Sequence, residues 1–211
     1  QEEMAENTAF LSNALLVAIF AIFLILVTQF NSFVSPFIIV LSIVFSTIGV
    51  FLGYAFTGMD LVVVMTGIGI ISLAGIVVNN AIVLIDYTNF LQDRQRQVTG
   101  RDLLTDDEIK ESIIKGGGTR LRPVLLTAVT TVLGLIPLAI GFNMNFTTLL
   151  TDLDPQIFIG GDNAAIWGAM SWTVVYGLTF ATFLTLVVVP VIYWLFYRIT
   201  TGVAGVFSYF V

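Results

Sequence analysis

Neither cysteine nor histidine occurs in this chain of 211 residues. Without thiols there is no disulfide framework, no thiolate nucleophile and no sulfur ligand for a metal. Without imidazole the commonest proton relay and metal ligand is missing. Charge is scarce as well. Asp, Glu, Lys and Arg make up 10% of the residues, where a soluble domain carries about 25%. The carboxylates are scattered, mostly in loops, and form no metal-binding cluster. No nucleophile–base pair, metal site or phosphate loop can be assembled, so nothing argues for an enzyme.

What the chain has instead is apolar residues, 57% of the total. They are gathered into runs long enough to cross a bilayer. Five spans are expected, at about residues 10–30, 33–56, 61–87, 121–142 and 165–197. Pro36 falls in the first turn of the second, where a missing N–H is tolerated. Pro190 is expected to kink the fifth, which is long enough to tilt. The fold class that follows is all-α, a polytopic bundle of five transmembrane helices, with residues 1–211 forming a single transmembrane domain.

The formal charge of −6 conceals a segregation of sign. Seven of the eight cations are Arg94, Arg96, Arg101, Lys110, Lys115, Arg120 and Arg122, and the eighth is Arg198. The positive-inside rule puts that loop and the C-terminus in the cytoplasm. The acidic stretches 1–6 and 151–162 then lie outside. Five spans, an odd number, require the same arrangement. The basic loop is mixed with Asp102, Asp106, Asp107, Glu108 and Glu111, which argues against nucleic acid as a partner.

Within that loop Thr105-Asp106-Asp107-Glu108 reads as a capping box. Ile109, Ile113 and Ile114 form an apolar stripe, and Glu111 and Lys115 are spaced to pair. Gly116-Gly117-Gly118 reads as a helix stop. The expectation is a short amphipathic helix over about 105–115, lying on the inner membrane face. The external loop has turn chemistry at Asp154-Pro155 and Gly160-Gly161 but lacks the ligand spacing of a calcium loop. The chain starts at Gln1 with no signal peptide, and an external N-terminus then suggests a piece of a longer polypeptide.

Inside the apolar runs one polar constellation stands out. On the third span Ser72, Gly75, Asn79 and Asp86 share one face, with Asn80 beside them. On the fourth, Arg120, Thr127, Thr131 and Gly134 do the same, with Thr130 adjacent. The two stripes are expected to face each other. One reading is helix–helix packing through Ser72, Gly75, Thr130, Thr131 and Gly134. The other is an ion or proton path. A proton relay needs a group that titrates, and Asn, Thr and Arg do not. Asp86, near the expected interface beside Tyr87, reads as an anchor. Any titrating acid of such a path would then lie on helices outside this chain.

The run Gly75-Ile76-Val77-Val78-Asn79-Asn80-Ala81-Ile82-Val83-Leu84-Ile85-Asp86-Tyr87 closely resembles the tenth-span motif of bacterial resistance-nodulation-division (RND) transporters, in the hydrophobe/amphiphile efflux branch. Thr119-Arg120-Leu121-Arg122-Pro123 through Thr127, continuing to Gly134-Leu135-Ile136-Pro137-Leu138, resembles the start of the eleventh span. Val187-Val188-Val189-Pro190-Val191 is similar to the end of the twelfth. Residues 10–33, ending Thr28-Gln29-Phe30-Asn31-Ser32-Phe33, resemble the eighth.

This resemblance implies the eighth to twelfth spans of a twelve-span transporter of the bacterial inner membrane. It implies efflux of amphiphilic compounds by proton antiport, with the proton as coupling ion and no other cofactor. The implied partners are the bilayer, the remaining half of the transporter, two further copies in a homotrimer, a periplasmic adaptor and an outer-membrane channel. The proton-accepting Asp pair would sit on the fourth span, absent here. Asn79, Asn80, Arg120 and Thr127 match the positions that supply partners to it. Asn79 stands where the best-known members carry Lys, a departure that removes a cation. A competing reading is an inactive structural unit that self-associates through residues 10–30.

Overall fold

The computed structural model describes residues 2–101, 104–154 and 156–208. Gln1, Asp102 and Pro155, each invoked above, lie outside them. Six helices and a two-residue β-hairpin follow in order: α1 (Glu2–Phe30), α2 (Val34–Thr57), α3 (Val63–Thr99), α4 (Asp106–Ala139), β1 (Phe142–Asn143), α5 (Phe146–Asp152), β2 (Phe158–Ile159) and α6 (Asp162–Ser208). Among the described residues α1 to α4 and α6 are long and apolar enough to cross a membrane. The shortest of them, α2, reaches about 36 Å at 1.5 Å per residue, which exceeds a hydrocarbon core of about 30 Å.

The helices run up and down. The end that carries residues 94–122 is called the basic end. Leu26 of α1, Ile38 of α2, Leu84 of α3 and Val189 of α6 share one buried cluster. Val50 and Tyr54, Leu73 and Val77, Ala128, Leu178 and Ala181 share another, nearer the opposite end. Helix α6 packs on α2, α3 and α4, whereas α1 packs mainly on α2 and α3 among the described residues. Half of the membrane stretch of α3 is buried by this chain, and almost none of that of α1.

Close approach explains why α6 can serve three neighbours. Gly49 and Gly53 of α2 lie one turn apart, and a Cβ at either would collide with Phe180 or Tyr176 of α6. Gly69 of α3 lies so near α6 that its Cβ would come within 2.8 Å of Thr173. A Cβ at Gly177 of α6 would meet Val50 at 2.7 Å and also collide with Leu73. Small residues at these positions replace the hydrophobic drive that lipid cannot supply. The buried Tyr54 hydroxyl donates to the Ala169 carbonyl at 2.8 Å and lies 2.9 Å from Thr173 Oγ1. Its ring meets Tyr176 edge-on, and Tyr176 stacks on Trp172.

The basic end departs from the sequence expectation. The capping box is present: the Thr105 N–H donates to Glu108 Oε2 at 2.8 Å, and the Glu108 N–H donates to Thr105 Oγ1 at 3.4 Å. The helix it starts does not stop at Gly116-Gly117-Gly118. It continues through them and through Pro123 as one element to Ala139. None of the three glycines has positive φ, whereas Gly100, which ends α3, does, at 62°. Three helical glycines cost about 1 kcal/mol each relative to alanine. Stopping there would leave carbonyls without partners at the membrane edge.

Gly116 also serves packing, because a Cβ there would lie 2.7 Å from Thr88 Oγ1 of α3. The apolar stripe is not spread on the membrane face. Leu104, Ile109 and Ile113 are buried against Tyr193, Trp194 and Tyr197 of α6, and only Ile114 is left exposed. The Glu111–Lys115 pairing does not form. Among the described residues the ion pairs are Arg96–Asp93 at 2.9 Å and Arg101–Glu108 at 3.1 Å.

Replacing Gly53 with Val would drive two methyl groups into Tyr176. A loss of about 1–3 kcal/mol is expected from overpacking, read as a lower midpoint of thermal unfolding in detergent. Gly117→Ala, where nothing lies within 4 Å, should leave the midpoint unchanged or raise it.

Candidate functional site

Helix α3 carries its buried residues on one arc that includes Leu73, Val77, Ala81, Leu84 and Ile85. At 100° per residue Ser72, Gly75, Asn79 and Asp86 fall on the opposite side, and all four are exposed. The adjacent Asn80 sits at the edge of the buried arc and is 8% exposed. On α4 Thr127, Thr130 and Gly134 are exposed, and Arg120 and Thr131 are half-buried. A Cβ at Gly75 or at Gly134 would meet nothing within 4 Å.

The stripes therefore do not close on each other as expected from the sequence. The apolar arc of α3 packs against α2, α4 and α6, which leaves its polar side outward. Among the described residues Ser72, Gly75, Thr130 and Gly134 make no tight helix contact. The glycines that do, Gly49, Gly53, Gly69 and Gly177, were not singled out by polarity. The signal that could have found two of them is the small-xxx-small spacing of Gly49 and Gly53.

The threonine hydroxyls are satisfied locally. Thr127 donates to the Val124 carbonyl at 3.0 Å, Thr130 to that of Leu126 at 2.8 Å and Thr131 to that of Thr127 at 2.8 Å. Their protons are engaged, and the oxygens keep lone pairs as acceptors. Among the described residues neither Asn79 nor Asn80 has a side-chain hydrogen-bond partner.

Arg120 is held differently. Its guanidinium carbon sits 4.4 Å from the Tyr87 ring centroid, a cation–π contact. Its Nε is buried without an acceptor. Arg120 and Tyr87 line an open cleft of about 510 Å³ with Asp86, Asn89, Phe90 and Asp93. Neither carboxylate lies within ion-pair distance of Arg120 among the described residues. The cleft brings the basic ends of both stripes together.

A second polar cluster lies nearby and left no pattern in the sequence. The Tyr193 hydroxyl donates to Asn89 Oδ1 at 2.6 Å and lies 3.2 Å from Gln92 Oε1, and Gln92 is buried with Nε2 unpartnered. It ties α3 to α6 across 104 residues of sequence.

A helical membrane bundle with a polar face turned away from its own core is one portion of a larger membrane protein or assembly. The model of the AcrB/AcrD/AcrF family matches residues 1–197, and the chain belongs to this family of RND transporters. It is 35% identical over 191 residues to the swarming motility protein SwrC of Bacillus subtilis, covering 90% of this chain and 15% of that protein. It is 28% identical over 179 residues to the multidrug resistance protein MdtC of Erwinia tasmaniensis, covering 85% of this chain and 15% of that protein. A crystal structure of a heavy metal efflux pump superposes with a TM-score of 0.65 at 28% identity, over 92% of this chain and 15% of the pump. The chain thus spans about one seventh of the length of these relatives.

Gly75 and Gly134 offer a direct check on whether the polar face is covered in the longer protein. Leu at either position should lower the unfolding midpoint of the intact polypeptide, by overpacking worth about 1–3 kcal/mol. A face left to lipid would accept both substitutions without loss.

Proposed function

We propose that this chain is the C-terminal membrane portion of a proton-driven efflux transporter for amphiphilic compounds. It sits in the bacterial inner membrane with its N-terminus periplasmic and its basic end cytoplasmic. The observation that carries the reading is the outward polar face of α3 and α4. There the exposed Asn79, threonine acceptors and a guanidinium whose Nε has no acceptor find no further partner among the described residues, and the adjacent buried Asn80 has none either. Carboxylates on the remaining half of the transporter would complete them.

In this reading Arg120 supplies positive charge to an Asp pair, and Thr127 offers a lone pair to a proton donor. Asn80 and Asn79 hydrogen-bond whichever protonation state is present. With Asn at position 79 the pair has one cation fewer beside it, which disfavours its charged form. Protonation of the pair would release Arg120 and let the helices shift. The motif resemblance favours the amphiphile branch. Assembly as a trimer with a periplasmic adaptor and an outer-membrane channel belongs to the same proposal.

The likeness to a heavy metal efflux pump favours a second reading, export of metal cations through the same membrane machinery. Cells lacking the transporter and complemented with it separate the two: protection against ethidium supports the first, and protection against zinc or copper alone supports the second.

Proton coupling is tested in everted vesicles bearing the intact transporter, with substrate-driven proton flux as the readout. Arg120→Ala should lower the flux by about tenfold or more, equivalent to roughly 1.4 kcal/mol of lost interaction. Asn79→Lys adds a cation beside the acids, favours their charged form and should move the pH profile to lower pH. Wild-type flux in Arg120→Ala together with an unmoved profile in Asn79→Lys would rule this site out of coupling.

A further inference from the structure

We propose that a groove at the basic end, between the start of α4 and the end of α6, binds an anionic phospholipid. The groove holds about 400 Å³ and is lined by Ile113, Ile114, Pro190, Val191 and Trp194, with the exposed Lys110 completing its wall. Its surface is almost wholly apolar, and Ile114 and Val191 are 64% and 57% exposed. It exists because α4 continues into the membrane as one helix. Ile109 and Ile113 dock on α6, while Ile114 and Lys110 stay at the open side.

The charge pattern selects the occupant. Among the described residues Lys110 forms no ion pair. The Arg198 guanidinium lies 5.3 Å from the centroid of the Trp194 ring that walls the groove. Two of the nearby carboxylates are engaged by other groups or line another cavity. Glu108 is engaged by Thr105 and Arg101. Glu111 lines a separate cavity with Arg94 and Lys115. Asp106 precedes Lys110 by one turn and acts electrostatically on Tyr197 of α6, and it forms no ion pair with Lys110 among the described residues.

An acyl chain in the apolar groove would place a phosphate beside Lys110, within reach of the long Arg198 side chain. A tryptophan and two cations around an apolar slot at the end of a span make a headgroup-level site. The inference is independent of proton coupling and of the transported compound.

The test is native mass spectrometry of the intact polypeptide, offered phosphatidylglycerol and phosphatidylcholine of matched acyl chains. Phosphatidylglycerol should be retained preferentially, by about fivefold for each cation engaged. Lys110→Gln should lower that preference about fivefold, and Lys110→Arg should keep it. Lys115→Gln, in the same basic segment but on the other cavity, should leave it unchanged. Equal retention of the two lipids would overturn the proposal. An equal effect of Lys110→Gln and Lys115→Gln would reduce it to diffuse attraction by the basic segment. A preference indifferent to Lys110 would mean that the rest of the polypeptide covers the groove.

Discussion

Hydrocarbon offers no hydrogen bonds, so each polar group that enters it must find a partner in protein. This chain meets that demand in three ways. Serine and threonine hydroxyls return to their own helix, as at Ser42, Ser46, Thr88 and Thr182. Tyr54 and Tyr193 reach across to other helices and fix α6 against α2 and α3. The third group differs: Asn79 is exposed on the outward side of α3, Asn80 is buried at the edge of its packed arc, and neither amide nor Arg120 Nε has a hydrogen-bond partner among the described residues. The first two classes hold the bundle together.

Helix α6 organises what remains. Glycines on α2 and α3 bring their backbones close to it, so its aromatic side chains fill the space that larger residues would have taken. The same helix receives the start of α4 at the basic end. One continuous α4 therefore links the charged surface to the membrane stretch that carries Arg120 and Thr127.

Much of this was legible in the sequence. Five apolar runs of sufficient length gave the five spans, and the capping box at Thr105 and Glu108 formed as read. The spacing of Ser72, Gly75, Asn79 and Asp86 correctly put them on one face. Periodicity could not tell which way that face turns, because polar residues face inward only where the chain itself provides the inside. The glycine triplet was misread for a related reason. Its local cost of about 1 kcal/mol per residue was outweighed by docking of Ile109 and Ile113 on α6, a contact between residues some 85 apart in sequence. The Tyr193–Asn89–Gln92 cluster had no local pattern at all.

The central claim is that the polar face of α3 and α4 is covered by another part of the same polypeptide. It is tested most directly by placing a photoreactive benzoyl-phenylalanine at position 79 of the intact polypeptide in its native membrane and mapping the adduct. The account predicts an intramolecular crosslink to a helix outside residues 1–211. Adducts to lipid alone, or to a second copy of the chain, would contradict it.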